Sequence, residues 1–253
     1  MKVSIITISF NSADTIEDTI QSVLSQSYRD IEYIIVDGAS KDDTMNAVNQ
    51  HLDEISKVIS EKDRGIYDAM NKGVQLATGD IVGILNSDDF YADENVVSDV
   101  VKKFSETGCD GLYADLVYVD REKSDKIIRT WKAGEYKPGK FKRGWMPPHP
   151  TFFVKKKCYD EFGLYNIKLK SAADYELMLR FIHKHKIEVS YLPRVITKMR
   201  TGGQSNITLK NRLKANMEDR LAWKMNGLKP GFFTLTWKPI SKIFQFLKPQ
   251  TPH

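Results

Sequence analysis

The sequence has little cysteine and no long apolar run, and each absence excludes a class of protein. Its two cysteines, Cys109 and Cys158, are too few for a disulfide framework and lack the spacing of a metal site, which is typical of a reducing compartment. No segment reaches the roughly 18 consecutive apolar residues of a membrane-spanning helix. The first residues become polar too soon for a secretory signal peptide. We therefore expect a cytoplasmic protein that does not cross the membrane.

Two common glycine-rich signatures of nucleotide binding are also missing. No G-x-G-x-x-G follows the first apolar run, and G-x-x-x-x-G-K-[ST] does not occur. No spacing typical of a zinc finger or of another nucleic-acid-binding module is present, so we expect no nucleic-acid partner. Other groups must then hold any phosphate-bearing ligand, and a bound metal ion is one candidate.

The net charge of +5 conceals two halves of opposite sign. Residues 1–120 contain 9 Lys and Arg against 23 Asp and Glu, a net charge of −14. Residues 121–253 contain 29 against 10, a net charge of +19. An acidic half is suited to metal and polar-ligand chemistry, whereas a basic half favours a phosphate-bearing partner or an anionic membrane.

Four apolar runs of strand length occur early in the chain, and polar side chains follow each of them. The runs are residues 2–10, 31–36, 57–60 and 81–85. Helical patterns separate them, which predicts an α/β fold with a doubly wound sheet. The carboxyl ends of parallel strands lie along one edge, so we expect the polar residues to converge there. Each of these residues alone could equally serve a turn or a helix cap. They are Asn11, Asp37, Asp63, Asp88 and Asp89.

The rest of the chain carries shorter elements. Residues 111–119 and 126–131 are predicted to pair as strands. Residues 138–150, rich in glycine, proline and aromatic residues, are predicted to form a covering loop. Helices are predicted at residues 172–184 and 206–225, and short strands at residues 151–154, 189–192 and 195–199.

Six segments carry a resemblance to a known family: residues 7–11, 36–42, 63–73, 86–89, 171–175 and 202–205. Together they are similar to the motifs of the bacterial inverting glycosyltransferases of family 2. The resemblance covers about residues 1–205 and implies a GT-A, Rossmann-like domain with a mixed, mostly parallel sheet and helices on both faces. Residues 1–110 would be its nucleotide-sugar half and residues 111–205 its acceptor half, with residues 206–253 a C-terminal helical extension.

The resemblance implies transfer of a sugar from a nucleotide-sugar donor, commonly a uridine one, to a hydroxyl of a saccharide. The acceptor would be linked to a polyprenyl diphosphate carrier and would belong to a surface polysaccharide such as the O-antigen of lipopolysaccharide. Two other functions stay open. A sugar-phosphate nucleotidyltransferase would need a glycine-rich phosphate loop near the first strand. A catalytically silent, membrane-associated scaffold that binds only nucleotide is favoured by Asn86 alone.

A divalent metal, Mn²⁺ or Mg²⁺, is also implied by the resemblance. Asp88 and Asp89 stand at the D-x-D metal motif of the family, with Asp89 the preferred ligand and Asp88 nearer the ribose. Many members have an aspartate where this sequence has Asn86, which leaves open which carboxylate contacts the metal. A cation that bridges the donor phosphates would neutralise the charge that develops on the leaving group.

The donor pocket is assigned by the same resemblance. Asp37 would accept a hydrogen bond from the nucleobase, and Arg200 would reach a phosphate beside a closing loop at residues 202–205. His149 would face the acceptor or the phosphates, although a lone histidine between prolines is often structural. The expected donor-binding residues are Thr7, Ser9, Asn11, Asp37, Asp63, Arg64, Asn71, Lys72, Asp88, His149, Arg200 and Ser205.

Asp174 stands where the family has its catalytic base. The acceptor hydroxyl must lose a proton as it attacks, and a carboxylate on the opposite face of the sugar can take it, which gives inversion in one displacement. From the residues alone, Asp174 could equally be an acidic residue at a helix N-terminus. Tyr67, Trp131 and Trp145 either stack on a sugar or base, or pack inside the protein.

Aromatic residues and lysines alternate in residues 229–248 near the C-terminus. This pattern favours reversible attachment to a membrane surface, which would place the protein on the inner face of the cell membrane. Pro239 and the charges exclude a spanning helix. The alternatives are a helix packed on the domain and a contact in a homodimer. The apolar residues are Phe232, Phe233, Trp237, Ile240, Ile243, Phe244, Phe246 and Leu247.

Overall fold

The computed structural model describes residues 1–202, 209–231 and 234. Its strands are β1 (Val3–Ser9), β2 (Ile31–Asp37), β3 (Lys57–Ser60), β4 (Ile81–Asn86), β5 (Asp89–Tyr91), β6 (Gly111–Val119), β7 (Ile127–Trp131), β8 (Phe153–Lys155) and β9 (Val189–Arg200). Its α-helices are α1 (Ile16–Leu24), α2 (Thr44–Asn49), α3 (Ile66–Leu76), α4 (Val96–Thr107), α5 (Lys156–Phe162), α6 (Ala173–Met178) and α7 (Leu209–Met225). Two 3₁₀ turns, Lys140–Arg143 and His149–Thr151, and a π-helical turn, Leu179–Lys184, complete the described elements.

These nine strands form one mixed sheet in the order β3-β2-β1-β4-β8-β6-β9-β5, with β7 paired to β6. The strands β3, β2, β1 and β4 run parallel. Strand β8 is antiparallel to both β4 and β6, and therefore joins the parallel half to the second half. Strands β6 and β9 are parallel, whereas β5 and β7 are antiparallel edge strands. The predicted α/β fold with a mixed, mostly parallel sheet is confirmed.

A hydrophobic core lies on each face of the sheet. In β1, Val3 and Ile5 belong to the core under α1, α2 and α4, whereas Ile6 and Ile8 belong to the core under α3 and α6. Successive side chains of a strand point to opposite faces, so a strand that is covered on both faces is apolar throughout. This is why the first four strands were recognisable as continuous apolar runs.

The second half differs from the expectation in two elements. Residues 189–200 form one long strand instead of two. The pairing of β9 with β6 shifts register twice, so the strand bulges around Pro193 and then continues. Proline has no N–H for the ladder, so a bulge is where a strand accommodates it. The predicted helix at residues 172–184 is α-helical to Met178 and π-helical from Leu179.

The last described helix, α7, packs against α6. Trp223 is fully buried and its Nε1 donates a hydrogen bond to the hydroxyl of Tyr175 at 2.8 Å. Within the described residues, no helix has both the length and the apolar character needed to cross a membrane. Of the predicted C-terminal tail, residues 232, 233 and 235–248 lie outside the described residues, as do Ser205 and the start of the helix predicted from residue 206.

Candidate active site

Asp37 joins the carboxyl ends of three strands. Its carboxylate is fully buried and accepts hydrogen bonds from the hydroxyls of Ser9, Ser40 and Ser60 and from the backbone N–H of Ser40. A carboxylate offers about four acceptor sites, and protein donors occupy that number here. The structure thus gives Asp37 a role in holding the strand ends together. The expected contact of Asp37 with a nucleobase stays a prediction.

Asn11 and Asp63 lie beside the same turn, so the predicted convergence of strand ends is present in the fold. Asn11 Oδ1 accepts from the backbone N–H of Lys41 at 2.9 Å, and its own N–H donates to Ser40 Oγ at 2.8 Å. Asp63 Oδ2 lies against Gly38, where a Cβ atom would approach it to 2.5 Å. Glycine at position 38 therefore allows the Asp63 carboxylate to sit at this edge.

Two of the expected donor-binding residues face the protein interior. Thr7 is fully buried, and its hydroxyl is 3.1 Å from the hydroxyl of Tyr33. Ser9 is 5% exposed and donates to Asp37. Both residues support the sheet edge from below, because neither presents its side chain to solvent.

Three other expected residues, Arg64, Asn71 and Lys72, line one open cavity of about 510 Å³ beside α3. The amide of Asn71 donates to the carbonyl of Tyr165 and accepts from its N–H, at 2.9 and 2.8 Å. Lys72 Nζ donates to the carbonyl of Lys62 at 3.0 Å and pairs with Glu61. The side chains of Asn71 and Lys72 therefore hold the loops on both sides of α3.

The corner between β4 and β5 contains one partly exposed and one buried aspartate. Asp89 is fully buried, whereas Asp88 is partly exposed. Among the described residues, Asp89 Oδ1 and Asn86 Oδ1 are buried without a hydrogen-bond partner. Burial, followed by the charge of Asp88, raises the pKa of Asp89 well above its usual range. The Ser87 hydroxyl donates to Ser12 at 2.7 Å, which ties this corner to the end of β1.

Arg200 supports this corner from inside the protein. Its side chain is 4% exposed, and Nη1 donates to the carbonyl of Asp88 at 3.2 Å. Nη2 pairs with Asp18, and the guanidinium lies 4.7 Å from the ring centroid of Phe90. Because these contacts bury and occupy the guanidinium, the structure gives Arg200 a supporting role at this corner. The expected contact of Arg200 with a phosphate stays a prediction.

Asp174 is held at both of its oxygens. The Tyr67 hydroxyl donates to Oδ1 at 3.2 Å, and His149 Nδ1 lies 3.3 Å from Oδ2. The side chains of Asp174 and His149 are 18% and 31% exposed, so a small ligand can reach the pair. Burial and then the charge of Asp174 raise the pKa of Tyr67, which keeps its hydroxyl protonated as a donor.

The partners of Asp174 come from two separate elements. Tyr67 lies in the first turn of α3 and stacks on Tyr165, with ring centroids 5.9 Å apart. His149 begins the 3₁₀ turn His149–Thr151, which packs against β4 and β9. His149 is thus the residue of the expected covering loop, residues 138–150, that contacts Asp174. Sequence reasoning left the role of Tyr67 open between stacking on a ligand and packing inside the protein.

Comparison with known proteins identifies the family of the chain. Residues 4–158 match the family model described as Glycosyl transferase family 2. The chain belongs to glycosyltransferase family 2. The UDP-Glc:alpha-D-GlcNAc-diphosphoundecaprenol beta-1,3-glucosyltransferase WfaP of Escherichia coli is 37% identical over 187 residues, which cover 72% of this chain and 70% of WfaP. The predicted family and the predicted enzyme class, a glycosyltransferase, are therefore confirmed.

Solved structures support the GT-A fold of this glycosyltransferase. The S. aureus TarS 1-349 complex with UDP-GlcNAc aligns with a TM-score of 0.68 at 16% identity and covers 89% of this chain. This chain spans 65% of that TarS chain, just under two thirds. The mannosyltransferase PcManGT from Pyrobaculum calidifontis, solved with GDP-Man and Mn²⁺, aligns with a TM-score of 0.67 at 18% identity and covers 97% of this chain and 69% of PcManGT.

The residues at the β4–β5 corner fit a metal that is shared with a nucleotide. No group of three or more His, Cys, Asp or Glu residues that could hold a metal occurs in the part of the chain that the structure describes. Mg²⁺, however, is commonly held by one or two carboxylates together with substrate phosphates. The accessible carboxylate of Asp88, beside the unpartnered oxygens of Asn86 and Asp89, meets that requirement.

Proposed function

We propose that this family 2 glycosyltransferase moves a sugar from a nucleotide-sugar, with inversion, to a hydroxyl of a saccharide acceptor, and that Asp174 is its catalytic base. The observation that carries the proposal is the geometry of Asp174. Its carboxylate is partly exposed and each oxygen has one partner, Tyr67 at 3.2 Å and His149 at 3.3 Å. A carboxylate oxygen has two acceptor sites, so one on each oxygen remains for an acceptor hydroxyl.

These residues perform the proton transfer as follows. The acceptor hydroxyl donates to Asp174, which takes its proton as the new bond to the sugar forms. Tyr67 donates to Oδ1 of the carboxylate, and His149 donates to Oδ2 when its proton is on Nδ1. Two fixed partners also orient the carboxylate before the substrate arrives. Such a base contributes typically 10²–10⁴-fold.

The donor would lie along the edge where β1–β4 end. Asn11, Asp37 and Asp63 surround the nucleotide end in this proposal, with Arg64, Asn71 and Lys72 beyond them at α3. Asp88 is the better candidate for Mn²⁺ or Mg²⁺ because it is partly exposed, whereas Asp89, the ligand expected from the resemblance, is fully buried. A bound divalent cation would stabilise the charge on the departing nucleoside diphosphate.

The acceptor would be a saccharide on a lipid diphosphate carrier, with the enzyme on the inner face of the cell membrane. The name of the related E. coli enzyme WfaP states a UDP-Glc donor and a diphosphoundecaprenol-linked acceptor. The net charge of +19 in residues 121–253 suits a diphosphate head group and an anionic membrane. The name of WfaP supports a uridine donor, and both features support a diphosphate-linked acceptor in surface polysaccharide synthesis.

The test is a panel of UDP- and GDP-sugars with synthetic lipid-diphosphate-linked saccharides, with and without Mn²⁺. We expect metal-dependent release of nucleoside diphosphate with formation of a glycosylated product of inverted anomeric configuration. Asp174→Asn should lose at least about 10²-fold in transfer, while its affinity for the nucleoside diphosphate in calorimetry stays unchanged.

The other outcomes identify the rival functions. Release of pyrophosphate would indicate a sugar-phosphate nucleotidyltransferase. Nucleotide binding without turnover of any donor would indicate a silent scaffold. Full transfer activity in Asp174→Asn would remove Asp174 as the base.

A further inference from the structure

Helix α7 is apolar on two faces. Its inner face is buried against α6, where Trp223 is bonded to Tyr175. Its outer face carries Met217, Leu221 and Met225, which are 71%, 42% and 40% exposed. Residues four apart lie above one another on a helix, so these three form one continuous stripe. We call this stripe and its flanking cations the outer face of α7.

The exposed charges beside the stripe are positive. Arg220 and Lys224 are both exposed and lie between the three apolar residues in sequence. Of the two acidic residues in residues 217–225, Asp219 is 2% exposed and so does not belong to this face. Glu218 is directed to the domain, where its Oε2 accepts the backbone N–H groups of Lys170 and Ser171 at 3.0 and 2.7 Å. The outer face therefore combines apolar and cationic side chains without an exposed acid in residues 217–225.

We propose that the outer face of α7 docks on the surface of an anionic lipid bilayer. Apolar side chains interleaved with Lys and Arg are the pattern of a helix that lies in a membrane interface, with the apolar groups below the head groups and the cations among them. Basic side chains near such a surface are attracted to anionic lipids. The apolar stripe and the two cations on α7 meet both requirements.

Charge favours a bilayer over a second copy of this chain as the occupant. A two-fold symmetric dimer through this face would bring Arg220 and Lys224 of both copies into one interface, and like charges repel. The sequence that follows residue 231 continues the same chemistry, with Phe232, Phe233 and Trp237 beside Lys238. An anionic surface accommodates both segments.

Docking through α7 would bring the candidate catalytic base to the membrane. Glu218 bonds Lys170 and Ser171 immediately before α6, and Trp223 bonds Tyr175, the residue after Asp174. The outer face and Asp174 are thus joined through the packed helices α7 and α6. This consequence rests on the proposed function, because it matters only where the acceptor is a membrane lipid. The docking itself does not depend on the proposed function.

The test uses the full chain and co-sedimentation with vesicles of phosphatidylcholine alone or with 30% phosphatidylglycerol, a composition of about physiological negative charge. We expect binding to the anionic vesicles and an at least about tenfold weaker partition for Leu221→Glu, since this change adds repulsion and removes apolar contact. Leu52→Glu is the matched control, because Leu52 is 49% exposed and lies after α2. It should bind as the unchanged chain does.

A second variant tests the proposal even if Leu221→Glu misfolds. This variant, Arg220→Gln with Lys224→Gln, keeps the apolar stripe and should lose the preference for anionic over neutral vesicles. Equal binding of Leu221→Glu and Leu52→Glu, or no binding of the unchanged chain, would overturn the proposal. So would a dimer in sedimentation velocity that Leu221→Glu dissociates while vesicle binding persists. No sugar donor is present in these assays, so their outcome is independent of the transfer reaction.

Discussion

The hydroxyl of Tyr67 donates a hydrogen bond to Oδ1 of Asp174 at 3.2 Å, although the two residues are 107 positions apart in the chain. Tyr67 comes from residues 1–110, which we expected to hold the donor, and Asp174 from residues 111–205, which we expected to hold the acceptor. Tyr67 is held in turn by stacking on Tyr165, whose backbone is fixed by Asn71. Asn71, which was expected to bind the donor, thus supports the candidate base Asp174 through the rings of Tyr165 and Tyr67.

Tyr67→Phe should lower kcat while leaving the donor KM nearly unchanged. The variant keeps the buried ring and removes only the donor to Asp174. A hydrogen bond to a charged group contributes about 1.5–3 kcal/mol, so we expect a loss of at least about tenfold. Steady-state kinetics with a saturating acceptor measures it.

Tyr159→Phe is the matched control for this prediction. Its buried hydroxyl lies 3.5 Å from that of Tyr165, and within the described residues it makes no hydrogen bond with Asp174. If both variants lose activity equally, the effect is one of packing and not of the contact with Asp174.

The sequence predicts the donor edge better than the acceptor side, and the reason is physical. Parallel strands covered on both faces are continuous apolar runs, so β1–β4 and the convergence of Asn11, Asp37 and Asp63 follow from local patterns. The saturation of Asp37 by three hydroxyls depends on loops that meet only in the folded chain.

The features that local sequence patterns do not predict lie in short or irregular elements. Strand β5 has only three residues, which is too short for its sequence pattern to identify it as a strand. It forms because it pairs with β9. The burial of Arg200 likewise depends on Asp18 and Phe90, which lie far from it in sequence. The contact of Tyr67 with Asp174 is of the same kind, and no local period encodes it.

Arg200→Lys should destabilise the β4–β5 corner and raise the donor KM. Lysine has no planar fork and cannot bond the Asp88 carbonyl and Asp18 together while it packs on Phe90. We expect the free energy of unfolding to fall by about 2 kcal/mol, as for a buried hydrogen bond to a charged group. Urea titration and donor saturation kinetics measure the two effects.

Arg194→Lys provides the control on the same strand. Arg194 also pairs with two aspartates, Asp93 and Asp99, but its side chain is 30% exposed and it does not contact the corner. It should change the donor KM little. An equal rise of KM in both variants would show that Arg200 has no special role at Asp88.

Glu32 should make stability depend on pH in the acid range. Burial alone would raise its pKa, but hydrogen bonds from Ser4, Thr78 and Lys57 outweigh it and lower the pKa from 4.5 to about 2. Because the folded-state pKa is the lower one, the stabilisation is complete above about pH 4.5 and is lost as pH falls towards 2. A shift of this size corresponds to about 3 kcal/mol.

Glu32→Gln isolates this contribution, because the amide is uncharged at every pH. Its free energy of unfolding at pH 7 should be lower than that of the unchanged chain by up to about 3 kcal/mol, and the gap should close as pH falls from 4.5 to 2. Glu106→Gln, on an exposed helix position, should show no such gap. A difference for Glu32→Gln that stays constant across this range would mean that lost packing, and not the ionised carboxylate, accounts for it.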